Sequence, residues 1–133
     1  RASAEVARAL AIGAGEAVLQ VRRVLSFGNE PTILEDIWLP ATPFKGLTAA
    51  HLRDYRGPMY ALFETEFDVR MVRADEKIRA ILPDVEQSAL LQVNPNTPLL
   101  SVERIAYTYN DLPMELRRGL YRTHMHHYHN VLS

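Results

Sequence analysis

The chain has 133 residues, 47% of them hydrophobic, and a net charge of -1 at pH 7, which together suit one globular domain with an ordinary core. This charge balance argues against a large nucleic-acid-binding surface, and the absence of cysteine excludes disulfides and thiolate metal sites. No apolar run is long enough to cross a bilayer, so we expect no membrane partner. The lack of cysteine fits a reducing compartment, and a cytoplasmic location is expected.

The first predicted unit is a short helix followed by a hairpin. A helix is predicted over residues 3–10, because Ser3 can accept a hydrogen bond from the amides of the first turn. Branched apolar residues predict a strand over 18–27, and Gly, Asn and Pro at 28–31 predict a turn. A returning strand is predicted over 32–39.

The middle of the chain is predicted to hold a helix and a long strand. Residues 43–57 are mixed and polar and give no strong prediction. Apolar spacing predicts an amphipathic helix over 58–66, and alternation predicts a strand over 69–82. Glu76 has the parity of the apolar residues on that strand. Because a buried carboxylate needs a partner, Glu76 is expected either to pair with an arginine or to contact a ligand.

The last predicted unit repeats the first. A helix over 84–91, capped by Asp84, precedes strands over 98–109 and 114–124. The two units align at a constant offset, with identical residues at Glu5, Leu10, Val21, Arg23 and Asn29 and at Glu86, Leu91, Val102, Arg104 and Asn110. We therefore predict an internal duplication and an α+β fold, in which a curved antiparallel sheet carries helices on one face.

Four histidines lie close together near the carboxyl terminus, at positions 124, 126, 127 and 129. Histidines at alternate strand positions can bind zinc or nickel, but this tail has no aspartate or glutamate to complete a ligand set. We expect exposed imidazoles on the last strand, with neither a metal nor a cofactor. A response to pH stays open.

Several stretches, spread over nearly the whole chain, together resemble a known family. They are ALAIGAGEAVLQVRRV, EPTILEDIWLP, GPMYALFE, ADEKIRAILPD, LLQVNPNTPLLSVERIAY and LPMELRRGLYR, in that order. Each stretch is partly hydrophobic pattern, and the ordered set is far more specific. The chain resembles the UTRA domain, the effector-binding domain of the HutC subfamily of GntR-type transcription regulators.

This resemblance implies a fold like that of chorismate lyase and a regulatory function without catalysis. The domain would bind a small-molecule effector, and an amino-terminal winged helix-turn-helix domain, absent from residues 1–133, would bind operator DNA. It also implies a homodimer in which the effector changes the spacing of the two DNA readers.

The resemblance also implies a set of ligand contacts, taken from members that sense sugar phosphates. Arg23 matches an arginine that holds the phosphate, and Glu35 matches an acidic contact on the returning strand. Tyr60 matches a tyrosine in the turn before the central helix. Glu115 and Tyr121 match a late glutamate and tyrosine that touch the ligand.

Two positions depart from that pattern. Leu25 stands where a second arginine is found, and Pro58 stands where a serine binds the phosphate. Strong phosphate recognition needs arginine forks and amide donors. We therefore expect a ligand other than a hexosamine phosphate, either a carboxylate held by Arg23 or a hydroxylated or aromatic compound.

Alternatives remain for the residues and for the function. Arg104, the counterpart of Arg23, either contacts ligand or forms an ion pair with Glu35 or Glu115. The chain could also be a small-molecule enzyme, since the fold it resembles hosts a lyase, although no nucleophile with an adjacent base is visible. As a dimerisation module without ligand, it would have a closed or absent pocket at Arg23, Glu35 and Glu115.

Overall fold

The structure is a computed structural model that describes residues 1–132. Its elements are α1 (Ala4–Leu10), β1 (Val18–Phe27), β2 (Glu30–Pro40), a 3-10 turn (Thr42–Phe44), α2 (Ala49–Asp54), α3 (Met59–Phe67), β3 (Arg73–Ile81), α4 (Val85–Leu91), β4 (Leu99–Thr108), a second 3-10 turn (Tyr109–Asp111) and β5 (Leu112–Tyr121). No helix among the described residues is long and apolar enough to cross a lipid bilayer.

The strands form one antiparallel sheet in the order β1-β2-β5-β4-β3. The hairpins β1–β2 and β4–β5 are joined through β2 and β5, and β1 and β3 form the two edges. The predicted α+β class and antiparallel sheet are therefore confirmed.

The two hairpin units share two local features of their geometry. Each has a register irregularity at the same point of its first strand, after Leu25 in β1 and after the equivalent Ala106 in β4. The helices before them end alike, because Ala11 and its counterpart Gln92 both adopt a left-handed conformation with φ of 54°. The two helix-plus-hairpin units predicted from the sequence are thus present as matching structural units.

Each face of the sheet carries its own apolar core. We call the face that bears Leu34 and Leu116 the back face, and α1 and α4 pack on it. We call the opposite face the front face. There α2 and α3 pack on Val21, Ile37 and Leu39. The side of the front face built from β3 and β4 is more open, because most residues of β3 are exposed.

Helix starts are set by local hydrogen bonds. Ser3 accepts from the amide of Val6, and Asp84 and Gln87 form a reciprocal capping box. Helix α2 lies in the stretch that gave no prediction. Its start is capped by Thr48, and it is held by one fully buried apolar residue, Leu52. One apolar anchor in six residues gives too little periodicity to predict a helix.

Two strand predictions were too long. Strand β3 begins at Arg73 instead of residue 69, because Val69 is buried in the front core after α3 has ended at a left-handed Asp68. Strand β5 ends at Tyr121, so the four histidines do not lie on a strand. The face of β3 that carries its apolar residues is also largely exposed to solvent, because β3 is an edge strand. Ile78 on this face is 48% exposed.

Candidate functional site

Cross-strand register brings charged side chains together on the front face. Arg23 on β1 lies opposite Glu35 on β2. Arg104 on β4 lies opposite both Arg117 on β5 and Glu76 on β3. Because directly opposite residues in antiparallel strands point to the same face, these side chains converge. We call them, with Glu115 and Tyr60, the front-face network.

One end of the network is closed. The Nε of Arg23 donates to Oε2 of Glu35 at 2.6 Å, and its Nη1 donates to the main-chain carbonyl of Tyr55 at 2.6 Å. The Arg23 side chain is only 8% exposed. Arg23 therefore fixes the end of α2 to the sheet, and two of its donor groups are already used.

Arg117 is the hub of the network. Its Nη1 lies 3.0 Å from Oε1 of Glu35, and its Nη2 lies 2.5 Å from Oε2 of Glu115. The same Nη2 contacts the sulfur of Met59 at 3.0 Å. Burial alone would lower the pKa of Arg117, but the carboxylates of Glu115 and Glu35 raise it. The guanidinium is therefore a permanent charge that neutralises two buried acids.

Sequence reasoning missed Arg117, although one available signal points to it. Glu115 and Tyr121 were both selected, and on a strand the residues between them at alternate positions face the same way. Those residues are Arg117 and Gly119. The neighbouring Arg118 has the opposite parity and pairs with Glu103 on the back face.

Tyr60 links the buried acid to the second arginine. Its hydroxyl donates to Oε1 of Glu115 at 2.6 Å and accepts a longer hydrogen bond of 3.4 Å from Nη1 of Arg104. Burial and the negative charge of Glu115, which is fully buried, raise the pKa of Tyr60 to about 12. Tyr60 is thus neutral and a donor at physiological pH. It sits in the first turn of α3, which begins after Pro58.

The opposite end of the network is open. Nη2 and Nε of Arg104 lie 2.7 Å and 2.8 Å from the same oxygen of Glu76, Oε2. The side chains of Arg104 and Glu76 are 33% and 20% exposed. The alternative that Arg104 pairs with Glu35 or Glu115 is wrong, because Arg117 occupies that position.

The second carboxylate oxygen of Glu76 accepts a hydrogen bond from the hydroxyl of Tyr128, in the segment that follows β5. Although partial burial alone would raise the pKa of Glu76, the hydrogen bonds from Tyr128 and Arg104 lower it. Glu76 is therefore ionised at neutral pH. A residue from the carboxyl-terminal segment thus contacts the open end of the network.

Tyr121 lies beside the network at the end of β5. A Cβ added to Gly119 would lie 2.8 Å from the ring of Tyr121, so this ring occupies the space left by the missing side chain. Burial raises the pKa of the Tyr121 hydroxyl, and the charge of Glu35 adds to this effect. All seven residues singled out in the sequence therefore lie in or beside one front-face cluster.

The histidines are separate from this cluster. The Nε2 of His124 lies 3.1 Å from Oε1 of Glu30, and the ring of His126 packs edge-on against Phe27 at a centroid distance of 5.1 Å. Within residues 1–132, no group of three or more His, Cys, Asp or Glu side chains is arranged to hold a metal ion.

Comparison with known proteins identifies the family. The model of the UTRA domain matches residues 1–127. The transcriptional repressor PhnF of Mycolicibacterium smegmatis is 32% identical over 117 residues, which are 88% of this chain and 47% of the repressor. The regulator GgaR of Escherichia coli is 25% identical over 84% of this chain and 42% of its own length. The chain thus spans less than half the length of these curated relatives.

Solved structures agree with this assignment. The ligand-binding domain of a protein assigned to the GntR family from Bordetella bronchiseptica has a TM-score of 0.91 and 55% identity, over 100% of this chain and 84% of that one. PhnF from Mycobacterium smegmatis has a TM-score of 0.88 and 30% identity, over 99% of this chain and 57% of that one. The chain belongs to the UTRA domain family of GntR-type transcription regulators, and it is a regulatory domain and not an enzyme.

Proposed function

We propose that this chain senses a small-molecule effector on the front face of its sheet, as part of a cytoplasmic homodimeric regulator of the HutC type. An amino-terminal winged helix-turn-helix domain of the same protein would bind the operator DNA. The observation that carries the proposal is the front-face network. It joins residues of β1, β2, β3, β4, β5 and α3, and its open end is at Arg104 and Glu76.

The network gives a route from ligand to structure. Arg104 contacts Tyr60, Tyr60 contacts Glu115, and Arg117 connects Glu115 to Glu35. A ligand that moves Arg104 would change this chain of contacts across the joint between the two hairpins. Such a ligand affects operator binding only if it binds the two arrangements of the dimer unequally, and a coupling of about 1–3 kcal/mol suffices.

The geometry also supports a ligand other than a hexosamine phosphate. Leu25 and Pro58 replace two phosphate anchors, and Arg23 uses its donors on Glu35 and the Tyr55 carbonyl. A carboxylate held by Arg23 would have to displace both contacts. We expect the acidic group of a ligand at Arg104 instead, where the guanidinium is more exposed.

A metabolite screen against the purified domain tests this function. Thermal stabilisation finds binders, and titration calorimetry then compares wild type with Arg104→Gln and with Arg73→Gln, an exposed arginine at the start of β3. We expect the affinity for an effector to fall roughly tenfold or more in Arg104→Gln and to be unchanged in Arg73→Gln. Equal affinities in all three proteins would contradict the proposal that the effector binds on the front face.

A dimerisation module without ligand is the second candidate, and the closed pairing of Arg23 with Glu35 favours it. This function predicts that no compound in a cell extract stabilises the domain. It also predicts that loss of Arg104 leaves the response of operator binding to metabolites unchanged in the whole regulator.

A further inference from the structure

The charges of the front-face network are balanced. Its cations are Arg23, Arg104 and Arg117, and its acids are Glu35, Glu76 and Glu115. Each acid contacts at least one arginine. A ligand of net charge would leave one charge in this half-buried cluster without a partner, which is costly because the charges are partly removed from water. A ligand without net charge leaves the balance unchanged, and a zwitterion in addition offers a partner of opposite charge to both Arg104 and Glu76.

The open ion pair can exchange partners more easily than the closed one. Arg104 binds only Oε2 of Glu76, and its Nη1 makes only a long contact of 3.4 Å to Tyr60. A ligand that displaced Arg23 from Glu35 would also break the hydrogen bond from Arg23 to the Tyr55 carbonyl. A ligand is therefore expected to bind beside the Arg104–Glu76 pair, through Nη1 of Arg104 and Oε1 of Glu76.

Tyr128 indicates which part of a ligand Glu76 would receive. Its hydroxyl donates to Oε1 of Glu76 from outside the sheet, and Tyr128 as a whole is 40% exposed. A donor from a mobile ligand can take that position without disturbing the Oε2 contact. Because Glu76 is ionised, a cationic donor would bind it more strongly than the phenol does.

Resting on the function proposed above, we infer that the front face binds a compact zwitterion, namely an amino acid or a small amino-acid derivative. Its ammonium group donates to Glu76 in place of the Tyr128 hydroxyl, and its carboxylate accepts from Arg104. Tyr60, whose hydroxyl contacts Nη1 of Arg104, lies beside this position.

The test uses three series of probes with matched side chains: the free amino acids, their amides, which are cations, and their N-acetyl derivatives, which are anions. Titration into wild type is expected to find at least one amino acid that binds roughly tenfold or more tightly than its amide and its N-acetyl form. Tyr128→Phe should bind the same amino acid slightly more tightly, because no hydroxyl has to be displaced.

Charge-changing variants separate recognition from a structural role. In Glu76→Gln the cluster gains one positive charge, so preference should shift from the amino acid toward its N-acetyl form. In Arg104→Gln preference should shift toward the amide. Asp75→Asn, on the opposite face of β3, is the control and should leave the order of preference unchanged. A uniform loss of affinity for all three series in both variants would contradict the inference that the ammonium group binds Glu76 and the carboxylate binds Arg104.

The outcomes distinguish this inference from the proposed function. If the amino acids do not bind but another metabolite binds in a manner that depends on Arg104, the zwitterion is wrong and the sensor function stands. If neither the probes nor a metabolite extract binds, both are wrong.

Discussion

The two hairpins carry an arginine at the same position and use it differently. Arg23 in the first hairpin lies opposite an acid, Glu35, and the pair is almost fully buried. Arg104 in the second lies opposite another arginine, Arg117, and reaches its acid on the neighbouring edge strand. The residue opposite each arginine therefore decides whether its guanidinium is buried in an ion pair across the hairpin or remains partly exposed.

Because of this difference, the arginines of the two hairpins have different roles. The closed pair fixes α2 and the Tyr55 carbonyl to the sheet, which is a structural task. In the second hairpin two like charges directly opposite each other would repel. The repulsion is relieved because Arg117 turns to Glu35 and Glu115 while Arg104 turns to Glu76. Arg104 is then left where a ligand can reach it.

The largest effect should come from the closed pair. Arg23→Ala leaves Glu35 with only one arginine and releases the Tyr55 carbonyl, so we expect a loss of about 3–5 kcal/mol in the free energy of unfolding. Urea denaturation at neutral pH measures this loss. The control is Arg22→Ala. Arg22 precedes Arg23 and lies on the opposite face of the sheet, and its partly exposed ion pair with Asp36 should contribute less than about 1 kcal/mol. Similar losses in both variants would contradict the assignment of Arg23 as structural.

A second effect compares a buried acid with an exposed one. Glu115 is fully buried between Tyr60 and Arg117, so Glu115→Gln removes a charge that two donors require. We expect a loss of roughly 2–3 kcal/mol. Glu76→Gln, at the open end, should lose about 1 kcal/mol or less. Denaturation of both variants under one set of conditions gives the comparison, and a larger loss in Glu76→Gln would reverse our ranking of the two ends.

The elements of the fold were predictable where local patterns are strong. The bounds of β1 were correct, and the caps of Ser3 and Asp84 were found because capping depends only on neighbouring residues. The pattern failed for α2, whose only fully buried residue is Leu52. The alternating pattern of β3 also wrongly suggested a buried apolar face, although most residues of this strand are exposed. Alternation shows which residues share a face of the strand, but it does not show whether another layer covers that face.

The composition of the candidate site was predictable from family positions and strand parity, but its pairing was not. The partner of Arg104 depends on which strand lies beside β4, and β3 precedes it in the chain by a whole helix. Arg117 meets Glu35 only because β2 and β5 are adjacent, although they are far apart in sequence. Such contacts depend on the order of strands in the sheet, which single residues do not encode.

The smallest effect concerns the tyrosine that joins the two ends. Tyr60→Phe removes the donor to Glu115, and we expect a loss of about 1 kcal/mol at neutral pH. Folding raises the pKa of Tyr60 from 10.0 to about 12, so the unfolded chain releases this proton first as the pH rises. The contribution of Tyr60 is therefore complete below pH 10.0 and is lost as the pH approaches about 12. Thermal unfolding midpoints of wild type and Tyr60→Phe should converge over this range. Parallel curves would mean that the hydroxyl is not the buried donor that connects Glu115 to Arg104.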